Sequence, residues 1–259
     1  MSLVRTTSAI ALIGTIGLAG TACSSAADSS SSSSTTQRTT ITVGAASSLT
    51  DVLSTIAADF TKANPGVSVQ FSFAASSAVA EQIRGGAPLD VFASAGTTSM
   101  QPLIDEGLVA GAVDVATNSL QIAVPPGNPA AVTGLADLAG VKVVICQEQV
   151  PCGVATAKLF DHNSLTVTPV SYEPDVRSVL GKIEADEADA GIDYVTDVLS
   201  AGAEFVGVVI PPEANVTTTY QAGVVAASTN AAEAAMFVDF LADPEAQAAL
   251  AGAGFAPAP

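Results

Sequence analysis

The sequence predicts an α/β fold of parallel-rich sheets with helices on both faces, and three observations carry that reading. From Ile41 onward, short β-branched or apolar runs alternate with amphipathic stretches of helical period, the rhythm of βα units. The composition is 49% hydrophobic and 13% charged over 259 residues. That supports one large domain or two of about 100–130 residues, and it excludes a disordered chain. Hydroxyl-bearing residues also gather where strands give way to helices, the end of an open α/β sheet at which ligands bind.

Residues 41–45 read as a strand, after which Leu49, Val52, Leu53, Ile56, Ala57 and Phe60 recur on one helical face. Ser48 with Asp51 three residues on gives a capping-box signal for that helix start. Asn64-Pro65-Gly66 ends the helix, and residues 67–74 form the next strand. Ser76 and Ser77 open a helix through Val79 and Ile83 that closes at Gly85-Gly86. A third strand spans 89–93, and Met100, Leu103 and Ile104 mark the helix after it. The alternation resumes with strands at 120–124, 141–146, 165–170 and 190–194, and with helices at 152–161, 175–187 and 196–201. Strand-like 205–210 is stopped by Pro211-Pro212, 220–227 is the last strand, and helices at 231–241 and 244–251 finish the chain. No Walker A loop, G-x-S-x-G elbow, H-E-x-x-H or G-x-G-x-x-G after a strand is present.

The N-terminus reads as an address. Arg5 precedes an apolar run from Ala9 to Ala19, about 11 residues, too short for a bilayer but right for a signal-peptide core. Small residues then lead into Cys23 in Leu18-Ala19-Gly20-Thr21-Ala22-Cys23, which is similar to a bacterial lipobox although Gly20 stands where Leu is usual. Residues 1–22 are therefore expected to be a signal peptide, with Cys23 lipidated and 23–40 a Ser-rich tether; the alternative is a plain secretory signal with an incidental cysteine. Such a chain is exported and anchored to the outer face of the cell membrane.

Eight Lys+Arg against 25 Asp+Glu give a formal charge of −17, which excludes nucleic acid as a partner. One histidine and three cysteines exclude His-rich metal sites and zinc-finger arrays. The strand-to-helix corners carry more. They read Ala45-Ala46-Ser47-Ser48, Ala74-Ala75-Ser76-Ser77, Val150-Pro151-Cys152-Gly153, Pro174-Asp175-Val176-Arg177 and Gly191-Ile192-Asp193-Tyr194. Each serine alone reads as a plain N-cap. Five corners biased toward hydroxyls and helix-start N–H groups read as an anion site.

At these residues the chain resembles the periplasmic molybdate-binding proteins of the ModA family. The motifs are Ile-Thr-Val-x-Ala-Ala-x-Ser-Leu-Thr at 41–50, Phe73-Ala74-Ala75-Ser76-Ser77, the run from Gly86 to Ala95, Asn118-Ser119-Leu120, Val150-Pro151-x-Gly153, Asp175-Val176-Arg177 and Gly191-Ile192-x-Tyr194. They stand in family order over most of 41–256. The resemblance implies a two-lobed periplasmic binding protein fold of type II, with mixed sheets and two hinge crossovers. It also implies a receptor, not an enzyme, that hands molybdate or tungstate to the membrane permease of an ATP-driven importer. Carried over by position, ligand contacts fall on the hydroxyls of Ser48, Ser76 and Tyr194 and on the backbone N–H groups of Ser48, Ser76, Cys152 and Val176. No cofactor is implied, and no side chain coordinates the metal itself. Chain order gives 41–117 with 221–259 as one lobe and 118–220 as the other, in a monomer.

Molybdate is fully deprotonated at neutral pH, so its oxygens only accept, and donors without a buried cation suit it. Cys152 departs from the small residue usual at its corner. With Cys146 six residues upstream in an exported chain, the two cysteines read as a disulfide, the alternative being two free thiols. Arg177 reads as the partner of a nearby acid such as Asp175. The rivals are a sulfate receptor, a phosphate receptor using Asp175 or Asp193 as acceptor, and a secreted serine hydrolase with His162 as its base. His162 lies in a polar turn, and the acidic run Glu184, Asp186, Glu187 and Asp189 reads as a solvated helix end.

Overall fold

The computed structural model describes residues 38–259, so residues 1–37, including the expected signal peptide and Cys23, lie outside it. The first half runs β1 (Thr39–Ala46), a 3-10 turn (Ser47–Leu49), α1 (Thr50–Ala63), β2 (Val67–Ala74), α2 (Ser76–Arg84), β3 (Val91–Ala95), α3 (Thr97–Asp105) and β4 (Val109–Val124). The second continues with β5 (Val143–Cys146), α4 (Pro151–His162), β6 (Ser171–Glu173), α5 (Val176–Glu184), β7 (Ala190–Tyr194), α6 (Val195–Ser200) and β8 (Val206–Val209). It closes with β9 (Thr217–Val225), α7 (Ala231–Phe240) and α8 (Pro244–Gly252).

The strands follow one path, β2-β1-β3-β9-β4-β7-β5-β6, with β8 added against β4. Pairing is parallel at the two ends, where β1 meets β2 and β3, and β5 meets β6 and β7. It is antiparallel in the middle, where β9 meets β3 and β4, and β4 meets β7 and β8. The sheet is thus mixed, less parallel than the βα alternation alone predicts, because β4 and β9 lie antiparallel to their neighbours in the middle of the path.

The buried apolar residues gather in separate cores that chain order does not divide, because β9 and α7 return to pack with β1 to β3. In the first, Phe60 of α1 lies edge-on to Phe237 and Phe240 of α7, with ring centroids 5.2 and 5.4 Å apart, over Ile41 and Val43 of β1. The opposite face of the same strands is covered by Val79 and Ile83 of α2 and Met100 and Leu103 of α3. The second core gathers Leu120 and Ile122 of β4, Val143 and Val144 of β5, Leu159 of α4, Val179 of α5 and Ile192 of β7. Burying apolar faces of sheet and helix together is what fixes the strand ends in space.

The structure revises several elements. Residues 165–170 are not a strand; Pro169 has no N–H to give a ladder, and pairing starts at Ser171. β4 begins eleven residues before the expected 120, and its register shifts between Ala110 and Val113 and between Asp114 and Ala116. β3 and β9 are offset from 89–93 and 220–227. The capping box is absent: Leu49 is the N-cap of α1, and no side chain caps that start.

Candidate functional site

The corners converge. The ends of β1, β2, β3 and β7 and the starts of α2, α4 and α5 surround a cavity lined by Ala46, Ser47, Ser48, Ala75, Ser76, Ala95, Pro151, Cys152, Asp175, Val176 and Tyr194. All five residues singled out by sequence, Ser48, Ser76, Cys152, Val176 and Tyr194, are on this wall. Its atom-free space, counting the part open to solvent, is about 230 Å³. The space suits a small ion.

The local chemistry is one-sided. Ser47–Leu49, α2 and α4 start at Ala46, Ala75 and Val150, and none of these three starts has a side-chain cap. Their first N–H groups therefore face the cavity end without the usual acceptor. Only α5 is capped: the Asp175 carboxylate accepts from the Ser178 N–H at 2.9 Å. Asp175 is the one ionisable carboxylate on the wall, and no Lys or Arg lines it.

The serines do not cap helices. Ser76 Oγ accepts from the Ala95 N–H at 2.9 Å, and the Ser48 hydroxyl lies 2.8 Å from that of Tyr220. Tyr194 donates to Thr218 Oγ1 at 3.4 Å, and its ring meets Tyr220 edge-on at 5.9 Å. Burial pushes both phenols well above their ordinary pKa, so both keep their protons as donors. Tyr220 has no local signature at position 220, and its partner Ser48 is 172 residues away, so sequence reasoning missed it.

The third corner is tied. Cys146 at the end of β5 is bonded to Cys152 in the first turn of α4. Gly153 beside it is required, since a Cβ there would lie 1.8 Å from the Gln147 carbonyl oxygen. The helix start therefore packs directly on backbone.

Charges lie just behind the wall. Arg177 pairs with Asp51 at 2.5 Å and with the buried Asp197 at 3.4 Å, and not with Asp175 as expected. Burial raises the Asp197 carboxyl to about 7, and Asp193, fully buried, is raised as well. Asp193 accepts from the Tyr194 N–H at 2.7 Å and is absent from the wall. His162 meets the Glu213 carbonyl oxygen at 2.9 Å, away from the cavity, which leaves no base beside a serine there.

A model of the bacterial extracellular solute-binding protein family matches residues 41–256. The chain belongs to that family. The molybdate-binding protein ModA of Mycobacterium tuberculosis (strain ATCC 25618 / H37Rv) is 40% identical to this solute-binding protein over 219 residues, 83% of this chain and 84% of the relative. The periplasmic molybdate-binding protein of Azotobacter vinelandii superposes on it with a TM-score of 0.71 at 23% identity, covering 83% of this chain and 98% of that one. The sulfate-binding protein SubI of Mycobacterium tuberculosis H37Rv superposes with a TM-score of 0.75 at 21% identity, covering 85% and 87%. Both structures show the periplasmic binding protein fold. Among the described residues of this solute-binding protein, no helix is long and apolar enough to cross a membrane.

Proposed function

We propose that this solute-binding protein is an extracytoplasmic receptor that binds molybdate or tungstate between two lobes and delivers it to the permease of an ATP-driven importer. The observation that carries the reading is a wall of uncapped helix starts and buried hydroxyls with no Lys or Arg, on which the one carboxylate, Asp175, caps α5. Ser48 and Ser76 give hydroxyl hydrogens, Tyr194 turns its hydrogen from Thr218 to the anion, and Ser48, Ser76, Cys152 and Val176 give backbone N–H groups. Charge-assisted bonds contribute about 1.5–3 kcal/mol each, so five or more offset the desolvation of a dianion. A relative 40% identical over most of both chains bears the name molybdate-binding protein, which supports the same cargo here.

A phosphate reading loses its acceptor. Phosphate carries a proton at neutral pH, while Asp175 is taken up as a helix cap and Asp193 is turned to the backbone behind the wall. Sulfate shares the donor-only requirement and differs in size. Residues 41–117 with 221–259 form one lobe and 118–220 the other, β4 and β9 being the crossovers, and a ligand bridging both favours the closed form. The protein works as a monomer held to the outer face of the membrane through lipid on Cys23.

Ligand binding raises melting temperature by mass action. Molybdate and tungstate are expected to raise that of residues 39–259, with sulfate and phosphate at equal concentration doing little. A larger shift with phosphate or sulfate overturns the choice of cargo.

A further inference from the structure

Two fully buried carboxylates, Asp193 and Asp197, flank Tyr194 in sequence, and neither lies on the wall of the anion site. Burying a carboxylate is costly unless it is paired and hydrogen-bonded. Asp193 Oδ1 accepts from the Tyr194 N–H at 2.7 Å, but its Oδ2 and both Asp197 oxygens have no hydrogen-bond partner within the protein. One cation serves the cluster. Arg177 Nε lies 3.4 Å from Asp197 Oδ1, while the same guanidinium reaches out to Asp51 at 2.5 Å. Asp175, at the start of α5, adds a further negative charge. Around the pair, α6 packs on β4, β7, β8 and α5. β8 and residues 115–124 of β4 carry no ionisable side chain, and Tyr194 and Tyr220 keep their protons. With every acid ionised, Asp51, Asp175, Asp193 and Asp197 share one guanidinium, and two of them are out of water. Molybdate adds two more negative charges at the wall beside Tyr194, whose phenol already stands in the field of both buried carboxylates. Charges away from solvent are poorly screened, so the repulsion reaches the pair.

We infer that the Asp193–Asp197 pair takes up a proton from solvent when the dianion enters and returns it when the anion leaves, so that cargo binding is proton-linked and tightens as pH falls. This rests on the receptor reading above and adds to it. The sign follows from linkage. A dianion that repels a carboxylate favours its neutral form, and the neutral form in turn favours the dianion by the same factor. Burial holds the Asp197 carboxyl at about 7, so near neutral pH the empty receptor is part-ionised and has a place for the proton. Molybdate itself stays deprotonated over this range, and His162 is engaged with the Glu213 carbonyl oxygen away from the cavity, so neither masks the exchange. One proton offsets half the charge of a dianion, and the loaded receptor remains the more anionic form.

The test is titration calorimetry of the mature chain with molybdate at pH 7.5 in Tris and in Pipes, whose heats of ionisation differ, so that the two enthalpies count the protons exchanged. About half a proton is expected to be taken up per molybdate, and Kd is expected to weaken about 3- to 10-fold from pH 6.5 to pH 8.5. Asp197→Asn imitates the neutral acid. It is expected to take up no proton and to bind at pH 8.5 about as tightly as the wild type does at pH 6.5. A folded Asp197→Asn that binds more weakly at both pH values makes the carboxylate structural and overturns the inference, as does a proton count equal to that of the wild type. If Asp197→Asn does not fold, as judged by its melting transition, Asp193→Asn carries the comparison: removing the neighbouring acid is expected to change the proton count, and an unchanged count overturns the pair. Wild-type binding with no proton exchanged overturns the inference and leaves the receptor reading standing. A wild-type protein that does not bind molybdate overturns both, and the first titration alone distinguishes that case.

Discussion

Ser48 and Ser76 both line the cavity; Ser76 Oγ accepts from the Ala95 N–H, and the Ser48 hydroxyl pairs with that of Tyr220, either of which can donate. Replacing either with Ala is expected to weaken molybdate binding by about 10- to 150-fold, the equivalent of about 1.5–3 kcal/mol, and Tyr194→Phe is expected to act similarly. Calorimetry that finds all three unchanged places the anion elsewhere. Asp197 bears on stability. Its carboxyl is raised from 3.8 to about 7, first by burial and then by Asp51 and Asp175, against the pull of Arg177; Asp193 lies in the same cluster. The folded protein therefore holds a proton that the unfolded chain has already lost, and stability falls as pH rises from about 4 to about 7. Urea unfolding at pH 5 and pH 8 checks this: Asp197→Asn is expected to flatten the difference, and an unchanged difference assigns it to another group. At this scale the sequence reading located the wall residues but mistook one use. Ser48 with Asp51 satisfies a capping-box pattern, yet the hydroxyl is claimed by a tyrosine 172 residues away, and no window on the chain contains both.

The Cys146–Cys152 bond acts on an element, the first turn of α4. It closes a loop with a sequence separation of 6, so its effect through the unfolded chain is about 2 kcal/mol. Its local effect is to hold the N–H of residue 152 at the wall while Gly153 lets the turn lie on Gln147. Reduction is expected to weaken molybdate binding by about 2- to 10-fold, the cost of ordering a donor afresh. Alkylation of the unreduced protein is expected to modify neither cysteine. Free thiols at both positions, with affinity indifferent to reductant, remove the idea. Most elements were readable because amphipathic period and turn residues coincide, as at β2 and β7, whose ends match the expected residues. The first part of β4 was not, since Gly111, Asp114 and Asn118 interrupt its apolar pattern and its partners are supplied by β9, far along the chain. Residues 165–170 were over-read, because the alternation of Leu165, Val167 and Thr168 looks strand-like until Pro169 is weighed.

For the whole molecule, local pattern told that βα units alternate but not that β4 and β9 would pair antiparallel in the middle of one strand path. Arg177 shows the same limit. Its nearest acid in sequence caps a helix, and its nearest acid in space, Asp51, comes from α1 on the other proposed lobe. That pair is substantially exposed and contributes little to stability, yet it spans the starts of two helices that line the site. The cavity has a further consequence, for the particle that leaves it. A pocket built on lysine or arginine would cancel its cargo, whereas this one surrounds the dianion with neutral dipoles. The chain already carries a formal −17, so the loaded receptor migrates as a more anionic body than the empty one. On native electrophoresis at pH 8, where Asp197 has given up its proton, saturation with molybdate is expected to speed movement toward the anode. Equal mobility of the two forms would mean that a proton or cation travels with the cargo.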